Sequence, residues 1–236
     1  MQFFEQNKLK AVTFSYDDGV TQDIRLIELL NKYGLKATFN LNSDLLGKNT
    51  IALRDNGAKI ARYRVHADDV RYVYEGHEIA VHTLTHPRLP DLEDAEVIRQ
   101  VEQDRIQLSE LAGYEVIGMA YPGGGVNNDD RVAGLIKNHT GVKYARTITL
   151  TDSFDPQPNL YRFDPNLHHI QNMDRMLQLT RRFVETEATT PQVLYIWGHS
   201  YEMDIYPDYW QKLEEMFSYL ANREDIFYGT NKEVLL

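Results

Sequence analysis

Along most of the chain, short apolar runs alternate with segments in which apolar residues recur at helical spacing. Short, mostly apolar runs, typical of buried strands, occur at residues 11–16, 37–41, 78–82, 116–120, 144–148, 193–197 and 226–228. Between several of them, apolar residues recur at helical spacing, at 68–74, 129–137, 173–185 and 209–220. Two further helices are predicted to end at Gly34 and Gly113, because glycine is favoured just after a helix C-terminus. The pattern therefore predicts strands that alternate with helices.

Helical connections between strands require parallel pairing. Seven or eight such strands favour a closed or nearly closed α/β barrel over an open sheet. Residues 44–66 have no readable period, and the Asp-, Pro- and Asn-rich run at 151–165 is predicted to be a long loop holding at most one short strand. Because no linker or repeat interrupts the alternation, we expect a single domain over residues 1–236.

Composition narrows the classes of partner and cofactor. With 25 basic and 35 acidic residues the net charge is −10, which argues against binding nucleic acid or an anionic membrane surface. The chain has no cysteine, which excludes disulfides, cysteine nucleophiles and thiolate metal sites. Any metal ion must therefore be held by histidine and carboxylate side chains.

No segment approaches the ~20 apolar residues of a membrane span, and the first residues lack the apolar core of a signal peptide. From the sequence as it stands we expect a cytoplasmic protein, or a secreted or periplasmic one if a signal peptide has been removed. The sequence does not define an oligomeric state.

Chemistry-bearing residues follow four of the predicted strands. They are Asp17 and Asp18, His82 with His86 four residues later, the glycine turn at 122–125, and His199. Because the carboxyl ends of parallel strands meet at one rim of a barrel, we expect these side chains to lie close together.

The acidic pair and the histidine pair together predict a catalytic metal site. Asp17 and Asp18 in a run with Gly19 are also a common turn signal, and His82 and His86 alone could be capping or packing residues. In combination, one carboxylate and two histidines form a metal site with open positions for water or substrate. The second aspartate is then free to act as a base.

The remaining candidates have two interpretations each. The glycine turn is either a flexible loop or, through a backbone N–H such as that of Gly123, an oxyanion hole. His199 is either structural or a general acid. The tandem His168 and His169 have no evident partner and are assigned a structural or surface role, and His77 a structural one at the opposite rim. The aromatic residues after His199, interpreted mainly as core and alternatively as a sugar-binding surface, are Tyr201, Tyr206, Tyr209 and Trp210.

Three segments resemble the polysaccharide deacetylases, the NodB-homology group also known as carbohydrate esterase family four. They read TFSYDDG at 13–19, GHEIAVHTLTHP at 76–87 and IWGH at 196–199. The resemblance extends over most of the chain. It implies a distorted, incomplete (β/α) barrel that carries one divalent metal, usually zinc, with cobalt, nickel or manganese as alternatives.

The resemblance also implies a role for each matching residue. Asp18, His82 and His86 match the metal ligands. Asp17 matches the catalytic base, and His199 matches the histidine that protonates the leaving group. The backbone N–H of Gly123 corresponds to the donor that holds the oxyanion.

Two motifs depart from the family pattern. Ala120 stands where many members have an arginine that steadies the catalytic aspartate, and Arg146, at the end of the next strand, is a candidate to replace it. The fourth motif, DSFDP at 152–156, lacks the usual tryptophan, and Asp155 is a candidate to orient His199.

The resemblance predicts a metal-dependent hydrolase that removes acetyl groups from an N- or O-acetylated carbohydrate. The departures leave two alternatives open. One is hydrolysis of a C–N bond in a small amide or cyclic imide, and the other is a non-catalytic glycan-binding protein. Retention of both aspartates and His199 argues against the second, because a binding protein needs neither a base nor an acid.

Overall fold

A curved sheet forms the centre of the molecule. A computed structural model describes Phe4 and residues 7–53, 57, 59–169 and 173–236. The strands are β1 (Lys10–Asp17), β2 (Ala37–Leu41), β3 (Asn49–Leu53), β4 (Lys59–Tyr63), β5 (Glu78–Val81), β6 (Gly118–Ala120), β7 (Tyr144–Arg146), β8 (Leu167–His168), β9 (Gln192–Gly198) and β10 (Ile226–Tyr228). The helices are α1 (Gln22–Lys32), α2 (Val70–Val73), α3 (Asp94–Ala112), α4 (Asp130–His139), α5 (Met173–Glu185), α6 (Tyr209–Leu220) and α7 (Asn231–Leu235).

Parallel pairing organises this sheet, as predicted. Among the described residues, seven strands are paired in the order β7-β6-β5-β2-β1-β9-β8, and β10 pairs with the start of β1. All eight residues of β1 are buried, and β9 contains the continuous apolar run expected of a strand covered on both faces. The edge strands β7 and β8 form no ladder with each other in the described chain; Phe163 bridges to Arg146 in the space between them. The sheet is thus a distorted, incomplete barrel.

Local signals explain where the longer helices begin and end. The apolar residues Val97, Val101 and Leu108 of α3 are buried on one face, and Gly113 ends the helix in the left-handed conformation, at φ 77°. At the start of α4 the Asp129 carboxylate accepts a hydrogen bond from the Val132 N–H at 2.7 Å. Both boundaries follow the sequence prediction. None of the helices described above has the length and apolar character that a bilayer crossing requires.

The segment without a readable period contains the antiparallel hairpin β3–β4. It is attached to the loop after β1, where Val20 pairs with Arg64 and the Thr21 N–H donates to the Tyr63 carbonyl at 2.7 Å. Most of β4 is exposed or half-buried, so no apolar run marks it. Two other elements were not predicted: β8 lies just beyond the predicted loop, and α7 follows the last strand.

Candidate functional site

A cavity of about 410 Å³ opens at the rim where the parallel strands end. Its walls come from segments that follow β1, β5, β6 and β9, and from the hairpin strand β4. The lining includes every site residue predicted from the sequence: Asp17, Asp18, His82, His86, Gly123 and His199. The folded chain therefore brings together residues that are up to 182 positions apart (17 to 199).

Asp18, His82 and His86 form a set that suits a divalent metal. One potential ligand atom from each lies within 4.8 Å of the others, and His86 Nε2 is 3.8 Å from Asp18 Oδ1. His82 Nδ1 lies 2.8 Å from the Ala120 carbonyl oxygen, which assigns the proton to Nδ1 and leaves Nε2 as the ligand atom. Burial lowers the pKa of His82 to about 4, so this ring is neutral, as a metal ligand must be. The donor set fits the predicted ion.

The backbone around these ligands adopts an unusual conformation. Asp18, Thr83 and His86 have φ values of 84°, 69° and 62°, in the left-handed region that non-glycine residues rarely occupy. The loop is held by the His86 N–H, which donates to Thr83 Oγ1 at 3.1 Å, and by the Asn42 amide, which donates to the His82 and Thr83 carbonyls. Tertiary contacts thus maintain a conformation that aims the ligands into the cavity.

Asp17 lies next to the metal set and is held by different partners. Arg146 Nη2 donates to both of its carboxylate oxygens, at 2.7 and 2.6 Å, and Asn40 Nδ2 donates to Oδ1 at 2.8 Å. Burial, the largest single effect, would raise the pKa of Asp17, but the charge and hydrogen bonds of Arg146 and the charges of the neighbouring histidines together lower it. Asp17 is therefore ionised at neutral pH. Arg146 occupies the place beside it that the sequence suggested.

His199 faces the same cavity and carries the opposite charge. Its Nδ1 lies 3.2 Å from Glu202 Oε2. Burial, the largest single effect, would lower the pKa of His199, but the Glu202 carboxylate together with Asp18 and Asp17 raises it to about 9. The predicted partner, Asp155, is exposed and accepts a hydrogen bond from Ser153 instead. The structure assigns the orienting carboxylate to Glu202.

His168 and His169 are not surface residues. Both are buried, and their Nε2 atoms lie 3.1 and 3.4 Å from Glu202 Oε2. The His169 ring occupies the space beside Gly198, where a Cβ would come within 2.2 Å of it. Of the two roles considered for them, the structural one agrees with this burial and the surface one does not. Both histidines follow or end β8, which is too short to be recognised from its pattern.

The other predicted positions are as follows. Gly123 adopts φ 83°, and its carbonyl accepts a hydrogen bond from the Asn127 amide at 2.9 Å, which holds the glycine loop against the cavity. His77 accepts a hydrogen bond from the Ala37 N–H at the other rim, and burial lowers its pKa to about 4. This agrees with a structural role. Of the aromatic residues after His199, Tyr201 lines the cavity and Trp210 belongs to the core.

Two arginines of the hairpin region were not anticipated. Arg64 Nη2 lies 3.3 Å from Asp18 Oδ1, and Arg62 Nη1 lies 3.7 Å from Oδ2. Burial would raise the pKa of Asp18, but the surrounding histidines and Arg64 lower it to about 2. No pattern in the sequence connects these arginines with the site, since the hairpin itself was not recognised.

Fold and site together define an α/β barrel protein with a candidate metal centre at its carboxyl rim. The profile of the polysaccharide deacetylase family matches residues 5–145, more than half of the chain. The chain belongs to the polysaccharide deacetylase family. Among curated protein sequences, none matches this chain significantly.

Solved structures with the same fold are distant in sequence. A Mycobacterium smegmatis structure assigned to the polysaccharide deacetylases is 14% identical, with 99% of this chain and 91% of that one covered and a TM-score of 0.68. A family 4 acetyl xylan esterase from Clostridium thermocellum, in complex with cobalt, is 15% identical over 95% and 90%, at 0.59. A mutant of a CE4 family pseudoenzyme with restored activity is 18% identical over 98% and 68%, at 0.60. At these identities the likeness shows the fold.

Proposed function

We propose that this protein is a metal-dependent hydrolase that removes acetyl groups from an N- or O-acetylated carbohydrate. Family membership supports the reaction class. The observation that carries the proposal is the pairing of opposite charges across one cavity. Asp17 is ionised by Arg146, His199 is protonated through Glu202, and the metal set lies in the same cavity. A base and an acid with well-separated pKa values are what hydrolysis requires.

Asp18, His82 and His86 would hold the divalent ion, for which zinc is the first candidate and cobalt, nickel and manganese are alternatives. When bound, such an ion polarises the substrate carbonyl and lowers the pKa of a coordinated water. The open positions of a two-histidine, one-carboxylate set leave room for water and substrate.

Side-chain and backbone groups of the chain itself carry out the remaining steps. The Asp17 carboxylate accepts the proton of the attacking water, and its bonds to Arg146 and Asn40 fix its orientation. The Gly123 N–H donates to the developing oxyanion. The imidazolium of His199 then donates its proton to the departing amine or hydroxyl.

The decisive experiment measures acetate release by wild-type protein and by Asp17→Asn. The amide retains an oxygen that can accept the Arg146 bond but cannot act as a base. We expect activity to fall about 10²- to 10⁴-fold with metal content and the fold preserved, and thermal stability to decrease because the buried Arg146 guanidinium loses its charged partner. Asp155→Asn, which removes an exposed charge outside the cavity, is the matched control. Full activity in Asp17→Asn would refute the proposed role of the base.

A substrate panel tests the two alternatives. It contains acetylated oligosaccharides beside small amides and cyclic imides, with metal added and with metal chelated. Metal-dependent turnover of the small amides alone would favour the C–N hydrolase. Saccharide binding without turnover of any compound would favour a non-catalytic protein.

A further inference from the structure

The hairpin strand β4 brings a positive charge to the edge of the catalytic cavity. The Ala61 carbonyl accepts a hydrogen bond from the Gln22 amide at 2.9 Å, and the neighbouring Tyr63 carbonyl accepts one from the Thr21 N–H. Both contacts attach β4 to the segment that follows Asp17 and Asp18. Arg62 lies between them in sequence, and its side chain lines the cavity. Its position is therefore tied to that of the reacting groups.

The guanidinium of Arg62 has one long ion pair, and no hydrogen bond, with a carboxylate in the described part of the chain. The nearest carboxylate oxygen there, Asp18 Oδ2, is 3.7 Å away, too far for a hydrogen bond. The Nε atom of Arg62 is buried and lacks a hydrogen-bond acceptor among the described residues. The group lies over the Tyr201 ring, with its central carbon 5.5 Å from the ring centre, and the side chain is 31% exposed. This contact orients the guanidinium and leaves its N–H groups available to a ligand.

The other charges around the cavity are already matched. Asp17 is paired with Arg146, and Glu202 lies against the imidazole of His199. Asp18 has a closer guanidinium, that of Arg64 at 3.3 Å, in addition to its place in the metal set. Arg62 thus adds a positive charge to a site that does not need it for its own stability.

We propose that Arg62 binds an anionic, oxygen-rich substituent of the substrate. The inference rests on the proposed deacetylase function, and it specifies acetylated saccharides that carry a carboxylate or phosphate next to the acetylated position. The planar fork of arginine matches both groups, and a half-buried guanidinium that is not hydrogen-bonded to its counter-ion gains two hydrogen bonds from either. In a chain with net charge −10, an anionic substrate needs such a local contact to offset general repulsion.

The test compares matched neutral and acidic substrates. One pair is an acetylated oligogalacturonate and its methyl ester, which differ in the charge of the carboxyl group. The other is an N-acetylglucosamine oligomer with and without a phosphate. The two acidic members distinguish carboxylate from phosphate. We expect wild-type protein to show the higher kcat/KM on at least one acidic member.

Arg62→Gln should lower kcat/KM for the preferred acidic substrate about 10- to 100-fold, the range of a hydrogen bond to a charged partner, and leave the neutral substrate nearly unchanged. Arg62→Lys should fall between, because it keeps the charge and loses the fork. Lys59→Gln, the same charge change at an exposed position of β4, is the control and should have no effect. Equal loss on both substrates, or no acidic preference, would overturn the inference.

A binding measurement separates this inference from the proposed activity. Calorimetric titration with deacetylated oligogalacturonate and with inorganic phosphate needs no turnover. Binding that weakens in Arg62→Gln and at high salt supports the anion site even if no acetate is released, in which case only the activity proposal fails. Turnover of neutral sugars together with no anion binding refutes the anion site and leaves the activity proposal standing. Absence of both binding and acidic preference also refutes it.

Discussion

Two clusters of histidine and carboxylate lie at the same rim of the barrel. The aspartate cluster consists of Asp18, His82 and His86, and the glutamate cluster of His168, His199 and Glu202. In each, one potential ligand atom per residue lies within 4.8 Å of the others. By residue type and spacing alone, the two are equally good metal sites. Their surroundings differ.

In the aspartate cluster the carboxylate is shared with Arg64, and His82 is neutral because burial lowers its pKa to about 4. In the glutamate cluster the carboxylate lies against imidazoles, and it raises the pKa of His199 to about 9. A metal would have to displace that proton. Neighbouring charges therefore decide whether a His–carboxylate group holds an ion or a proton.

Metal analysis of two alanine variants would test this contrast most directly. We expect His82→Ala to lower metal affinity by more than about 100-fold, the upper end of the cost of removing only an outer-shell partner, and to abolish acetate release. We expect His168→Ala to keep one metal per chain, measured by elemental analysis after dialysis. Metal lost from His168→Ala and retained by His82→Ala would reverse the assignment of the two clusters.

The pH dependence of kcat/KM in Glu202→Gln tests the proposed role of His199 as the general acid. His199 must be protonated to donate, and in the wild type it stays protonated up to about pH 9. Without the carboxylate the imidazolium loses its main stabilising charge, so its pKa falls. We expect the alkaline limb of kcat/KM to move to lower pH, and activity at a fixed pH above the limb to fall about tenfold for each pH unit that the limb moves. Asp155→Asn should leave the profile unchanged, whereas a displaced limb in that variant would restore the sequence-based assignment.

A glycine substitution tests the packing beside the glutamate cluster and should give the smallest of the expected effects. Gly198→Ala places a Cβ within 2.2 Å of the buried His169 ring, and we expect a loss of about 1–3 kcal/mol in the free energy of unfolding. Gly124→Ala, where no described atom lies within 4 Å of the added Cβ, should change it by less than about 0.5 kcal/mol. Urea unfolding of both variants provides the measurement. Equal stabilities would show that the glutamate cluster tolerates displacement of His169.

Much of the fold could be predicted from the sequence because the patterns that mark strands and helices are local. A buried parallel strand can be a continuous apolar run, as in β9, and α3 ends at a glycine that adopts the left-handed conformation. The hairpin β3–β4 carries no such signal, because most of β4 is exposed or half-buried. Because the hairpin was not predicted, Arg62 and Arg64 were not identified as site residues.

The aspartate cluster follows from order along the chain, since residues that end parallel strands must meet at one rim. Hydrophobic periodicity and strand direction depend on residues that are close in sequence, so both can be inferred from the sequence alone. The charge states of the site residues cannot. Arg146 lies 129 positions from Asp17, and only folding places the two within hydrogen-bonding distance. Glu202 is only three positions from His199, but folding places this pair in a largely buried, weakly screened environment. The proposed division of roles, with Asp17 as the base and His199 as the acid, therefore depends on tertiary structure.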